Sequence, residues 1–130
     1  MAYKLFSEKF PRLFAEFFDQ YQETALWASR DDNGESLDRV FEVSDLSDAA
    51  TCKMREDCNK FLDENYDLIS EDLTRAGHDF WLTRNRHGAG FWDGDWEESV
   101  GKLLTERAKA FGECLITVCD DDSEETPELI

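Results

Sequence analysis

The sequence predicts an α+β fold, with three main helices packed on a small antiparallel sheet. That sheet is expected to consist of a hairpin at about 78–93 and a C-terminal strand at about 114–119. Three observations lead there. Apolar residues recur at steps of three and four over three long stretches. The stretch AGHDFWLTRNRHGAGFWD, Ala76 to Asp93, mixes alternating apolar residues with glycines and turn formers. The run CLITVC, Cys114 to Cys119, is short, apolar and β-branched.

The first helix is expected to start at a Ser7 cap and run to about Ser29. Its apolar face is Phe10, Phe14, Phe17 or Phe18, Tyr21, Ala25 and Ala28, and Pro11 lies in its first turn, where a missing N–H costs nothing. RDDNGES ends it, with Asn33-Gly34 as the turn signal. Leu37 to Val43 reads as an extended connection. Ser47, followed by Asp48, caps the second helix, whose inner face is Ala50, Met54, Cys58, Phe61, Leu62, Asn65 and Ile69. Gly77 is expected to close that segment. In the hairpin, Phe80, Leu82 and Arg84 face one way and Trp81, Thr83 and Asn85 the other. The turn is Asn85 to Gly88, and Gly88 and Gly90 relieve crowding or form a bulge. Asp95 is expected to cap a third helix with an inner stripe of Val100, Leu103, Leu104, Ala108 and Phe111, ended by Gly112. Residues 120–130 form an acidic tail with a frayed end.

At 130 residues the chain has the length of one domain, 1–130. Ten Phe, four Trp and three Tyr supply a real core, which argues against disorder. No window approaches the roughly 18 uninterrupted apolar residues of a membrane span, and the first residues lack a signal-peptide core, so no membrane role and an intracellular setting are expected. Cys52, Cys58, Cys114 and Cys119 are spaced unlike zinc or redox motifs, so reduced thiols, no metal and no cofactor are expected. A site built from Cys52, Cys58, His78 and His87 is not asked for by the spacing.

Charge is the strongest global signal. The formal net charge is −17, spread as −6 over residues 1–50, −4 over 51–95 and −7 over 96–130. Such a chain repels nucleic acid and anionic membranes and is drawn to basic surfaces. Catalysis has little to stand on. His78-Asp79 and His87 with Asp93 supply a base and partners, but strand neighbours point to opposite faces and no known catalytic or phosphate-cradling motif is present. Arg75, Arg84, Arg86 and His87 interleave with Phe80, Trp81, Phe91 and Trp92, as on base-stacking surfaces, yet the overall charge opposes a polyanion. On the second helix, Glu56, Asp63, Glu64, Asp67 and Glu71 fit one exposed row at helical spacing. Neighbours along it lie roughly 5–6 Å apart, near the phosphate spacing of a nucleic-acid strand.

The segment GHDFWLTRNRHGAGFWD, followed by LT…AKAFGE, resembles a recurrent segment in small proteins encoded by bacteriophages and prophages. ETALWAS, LDRVFEVSDLS and DCNKF resemble the upstream part of the same proteins. The likeness runs from about Glu23 to Asp121, leaving 1–22 as a variable helical start. That family has no assigned activity, so no residue roles carry over. The resemblance implies a phage-derived accessory protein acting in a host bacterial cytoplasm.

The combined expectation is a non-enzymatic acidic protein that inhibits a host nucleic-acid-binding or defence complex (a CRISPR effector, restriction enzyme or nuclease) by phosphate mimicry. Glu56, Asp63, Glu64, Asp67 and Glu71 would carry the mimicry, and Arg84, Arg86 and His87 a local specificity patch. Its partner is then a host protein with a basic groove, without direct nucleic-acid contact. The alternative is a phage accessory protein that binds single-stranded nucleic acid, or a replication or recombination protein, through the aromatic and arginine hairpin.

Overall fold

Helices dominate the fold in a computed structural model, which describes the backbone of residues 4–121 and 124–129. Five α-helices follow in order: α1 (Phe6–Lys9), α2 (Pro11–Ala28), α3 (Asp48–Ile69), α4 (Leu73–Arg84) and α5 (Glu98–Lys109). A two-stranded antiparallel hairpin closes the chain, β1 (Ile116–Asp121) pairing with β2 (Glu124–Leu129), with Val118 opposite Pro127. The α+β expectation is therefore corrected. The 78–93 segment supplies no strand, and among the described residues there is no sheet broad enough for helices to cover.

The physical reason lies in α4. Asp72 caps it, its carboxylate accepting from Arg75 N at 2.9 Å. Every residue from Asp79 to Asn85 is buried. Over that stretch the helix is enclosed on all sides and shows no 3.6-residue stripe, so its apolar residues imitate alternation. The expected turn Asn85 to Gly88 is instead the end of this helix. His87 N donates to Leu82 O at 3.0 Å and Arg86 N to Thr83 O at 3.1 Å, the paired bonds of a Schellman cap. Arg86 takes the left-handed conformation there, φ 60°, where glycine is usual.

Gly77, expected to end the preceding segment, sits inside α4. A Cβ at this position would lie 2.3 Å from Phe17 O and 3.2 Å from Tyr21 N. Only glycine lets α2 and α4 cross backbone to backbone, and that pairing is the centre of the fold. Around it Phe17, Tyr21, Phe61, Phe80 and Trp81 are wholly buried. Phe61 stacks on Phe80 at 4.1 Å, and Tyr21 meets Trp81 edge-on at 5.5 Å.

The remaining elements follow local signals more closely. The first helical stretch breaks at Phe10, and Pro11 opens α2. Residues 4–22 are part of the core through Phe6, Phe14, Phe17, Phe18 and Tyr21. Ser47 caps α3, accepting from Ala50 N at 3.0 Å. The connection expected to be extended holds two short 3₁₀ turns, Leu37–Arg39 and Val43–Asp45. Glu97, not Asp95, caps α5 by accepting from Ser99 N and Val100 N. Residues 124–129 of the expected acidic tail form β2, and Ser47 N donates to Pro127 O at 3.2 Å, tying the hairpin to the start of α3.

Candidate functional site: an acidic trough

Of the eight residues expected to form the basic and aromatic patch, four are inside, while Arg75, Arg86 and Trp92 are exposed. Arg84 is 2% exposed. It pairs with Asp57 at 2.8 Å, donates to the Tyr21 hydroxyl at 3.1 Å, and donates to the carbonyls of Gly112 and Phe111 at 2.9 and 3.2 Å. All three guanidinium nitrogens are engaged, so it is a structural cation. Phe80, Trp81 and Phe91 are core residues. Arg86 is exposed and lies 3.8 Å from Glu113, and His87 is half-buried. The three patch residues therefore do not form one surface.

The acidic row fares differently. Glu56, Asp63, Glu64 and Asp67 are exposed on α3, while Glu71 lies past the end of that helix, in the turn leading to α4. Lys60 stands between Glu56 and Asp63 on the same face, so the row is interrupted. Glu56 and Asp63 border a separate, mainly apolar cavity of about 440 Å³ with Leu5, Phe6 and Cys52. Asp67 and Glu71 turn instead toward a larger feature that the sequence did not reveal.

That feature is a trough built from three adjoining cavities. The first, about 600 Å³, has Glu23 and Trp27 from α2, Asp38 and Glu42 from the following connection, and His78 from α4 on its walls. It shares Gln20 and His78 with a second cavity of about 300 Å³ that includes Asp72 and Arg75. Those two residues also border a third, of about 430 Å³, with Asp67, Glu71, Asp95 and Glu97. Along the whole length stand eight carboxylates and one guanidinium, that of Arg75. Arg75 is itself paired with Asp95 at 3.2 Å.

Local geometry biases the charge of two groups that line the trough. Glu97 accepts a hydrogen bond from the Ser99 hydroxyl and two from backbone N–H groups, which hold its carboxyl below the usual range. Burial, then the nearby Arg75 charge, lowers the pKa of His78, so its ring is neutral at pH 7. His78 Nδ1 shares a hydrogen bond with the Thr24 hydroxyl at 2.8 Å, and the ring lies 5.7 Å from that of Trp27. Behind the third cavity, Trp96 Nε1 donates to Asp79 at 2.7 Å. Burial raises that carboxyl to about 6, against the opposing effects of Trp96 and Arg75.

His78 and Asp79 point apart, one to the trough and one to Trp96, so they form no catalytic pair. Among the described residues no group of three or more His, Cys, Asp or Glu is arranged to hold a metal ion. Cys52 is exposed, and Cys58 and Cys114 are buried free thiols. Burial pushes the Cys58 and Cys114 thiols up, away from the reactive thiolate. No helix among the described residues is long and apolar enough to cross a membrane. The chain matches no family model, no curated protein and no solved structure.

Proposed function

We propose that this protein is a non-enzymatic inhibitor that occupies the basic nucleic-acid groove of a host protein by presenting fixed negative charge. The observation carrying the reading is the trough: eight carboxylates against one guanidinium along a connected groove. Carboxylates held on helices and short turns present charge without first ordering a flexible chain, and their counterions are released when cations replace them. Asp67 and Glu71 from the α3 row belong to this face. Glu56, Asp63 and Glu64 are exposed on α3 outside the trough, with Lys60 among them. The resemblance to phage and prophage proteins supports a bacterial host and its cytoplasm as the setting. The partner class is a defence or nucleic-acid enzyme.

The competing reading, direct binding of single-stranded nucleic acid through the 78–93 segment, loses three of its four stacking rings, since Phe80, Trp81 and Phe91 are core residues and Trp92 alone is exposed. The test uses the whole protein, immobilised, with bacterial lysate passed over it beside an Asp67→Asn/Glu71→Gln/Asp95→Asn variant. Nucleic-acid-binding proteins should be retained by the native protein, released by duplex DNA or by raised salt, and retained poorly by the variant. Equal retention by both proteins, or indifference to DNA and salt, would overturn the reading.

A further inference from the structure

We propose that the Trp27–His78 end of the trough is a receptor for one arginine side chain of a protein partner. This deepens the preceding reading and rests on it for the partner's existence. Four properties of the cavity select that chemistry. First, its walls carry Glu23, Asp38 and Glu42 and no lysine or arginine of this chain, so it lacks an internal counter-charge. Second, Trp27 is 51% exposed, an unusual state for the largest apolar side chain, and its ring stands at the cavity wall beside His78. An indole face attracts a cation through its quadrupole, and a guanidinium stacks there better than an ammonium because it is planar and weakly hydrated.

Third, His78 offers no competing positive charge. Its Nδ1 is engaged with the Thr24 hydroxyl, and Thr24 also accepts from Gln20 Nε2 at 3.0 Å. That bond leaves the Gln20 carbonyl oxygen as a further acceptor on the cavity wall. Fourth, the space, about 600 Å³, exceeds what an ion or a lone ammonium would fill and admits a whole arginine side chain with adjoining backbone. Aromatic stacking on one face and several carboxylate acceptors at the edge match the five-donor fork of arginine. Lysine, a compact and strongly hydrated charge, would use only the carboxylates.

The test titrates the full protein with the peptide acetyl-Gly-Gly-Arg-Gly-Gly-amide and with its citrulline counterpart, which has the same shape without the charge. The Trp27 indole N–H resonance, assigned by Trp27→Phe, is the reporter. The arginine peptide should move it with affinity about tenfold or more above the citrulline peptide, the order expected for a stacked, carboxylate-paired cation. Trp27→Ala, titrated by calorimetry because it lacks the reporter, and Glu23→Gln, both at exposed positions, should each weaken binding by about threefold or more while leaving the thermal midpoint close to that of the native protein. Equal affinity for the two peptides, or shifts confined to Trp92 or Trp96, would overturn the proposal. Saturation by free agmatine with no response to the peptide would also overturn it, assigning the cavity to a small amine instead. Arginine binding without capture of any nucleic-acid-binding protein would sink mimicry and leave this site standing. DNA-competed capture with no preference for arginine over citrulline would do the reverse.

Discussion

Replacing Asp79 by Asn should stabilise the protein at neutral pH and slightly destabilise it at pH 4, where only the unpartnered amide is felt. Asp79 lies on α4, 2% exposed, with one carboxylate oxygen accepting from Trp96. Its pKa is raised from 3.8 to about 6 because burial penalises the charged form more than Trp96 and Arg75 support it. A raised carboxyl pKa means that the folded state holds its proton more tightly than the unfolded chain. Folding stability contributed by this group is therefore greatest below pH 3.8 and is lost as pH climbs to about 6. At about 1.4 kcal/mol per pH unit, that interval amounts to about 3 kcal/mol. Asn keeps the acceptor for Trp96 and removes the charge, but its amide needs a partner of its own, which returns about 1–2 kcal/mol. A net gain of about 1–2 kcal/mol above pH 7 follows. Urea unfolding of both proteins from pH 4 to pH 8 measures it, and taking the difference cancels the titration of the other carboxylates. A difference that stays flat across that range, or an Asn variant less stable at pH 8 than at pH 4 relative to the native protein, would refute the argument.

Two further substitutions test the packing beneath the trough. Gly77→Ala should destabilise by about 1–3 kcal/mol, because a Cβ 2.3 Å from Phe17 O forces α2 and α4 apart, outweighing the roughly 1 kcal/mol that alanine normally adds to a helix. A rise in thermal midpoint would show that the crossing is not this close. Arg84→Ala should cost about 3–5 kcal/mol by leaving Asp57 Oδ2 and the carbonyls of Phe111 and Gly112 without their buried donor, Lys53 still bonding Asp57 Oδ1, whereas Arg84→Ala combined with Asp57→Ala should cost less than the sum of the two single changes. Additive losses in denaturant titrations would mean the two side chains act separately.

How much of this was legible in the sequence depended on how each element is exposed. α3 was readable because it is one-sided: Ser47 caps it, and Ala50, Met54, Cys58, Phe61, Leu62 and Ile69 all face inward. α4 was not, because the polar residues of its second half are inside. Asp79 and Arg84 are satisfied by Trp96 and Asp57, 17 and 27 residues away, and nothing local announces such pairing. Gly77 read as a stop because the steric demand comes from α2, not from its own helix. Within the trough, Asp67 and Glu71 were found through helical spacing, but Glu23, Asp38, Glu42, Asp95 and Glu97 come from separate segments that only tertiary packing gathers. Trp27 offered the one available hint: a tryptophan lying off the apolar stripe of its helix.

The crossing at Gly77 has a consequence for selectivity. It lies one residue from His78, so α2, which supplies Glu23 and Trp27 to the arginine-sized cavity, and α4, which supplies His78, meet without an intervening side chain. Two main chains in such contact cannot slide without losing close packing along both. A ruler of this kind discriminates by the geometry of a visitor's cations and not by their number. A floppy basic tail must freeze many torsions to satisfy it, while a folded cleft with cations already spaced to match loses little freedom on docking.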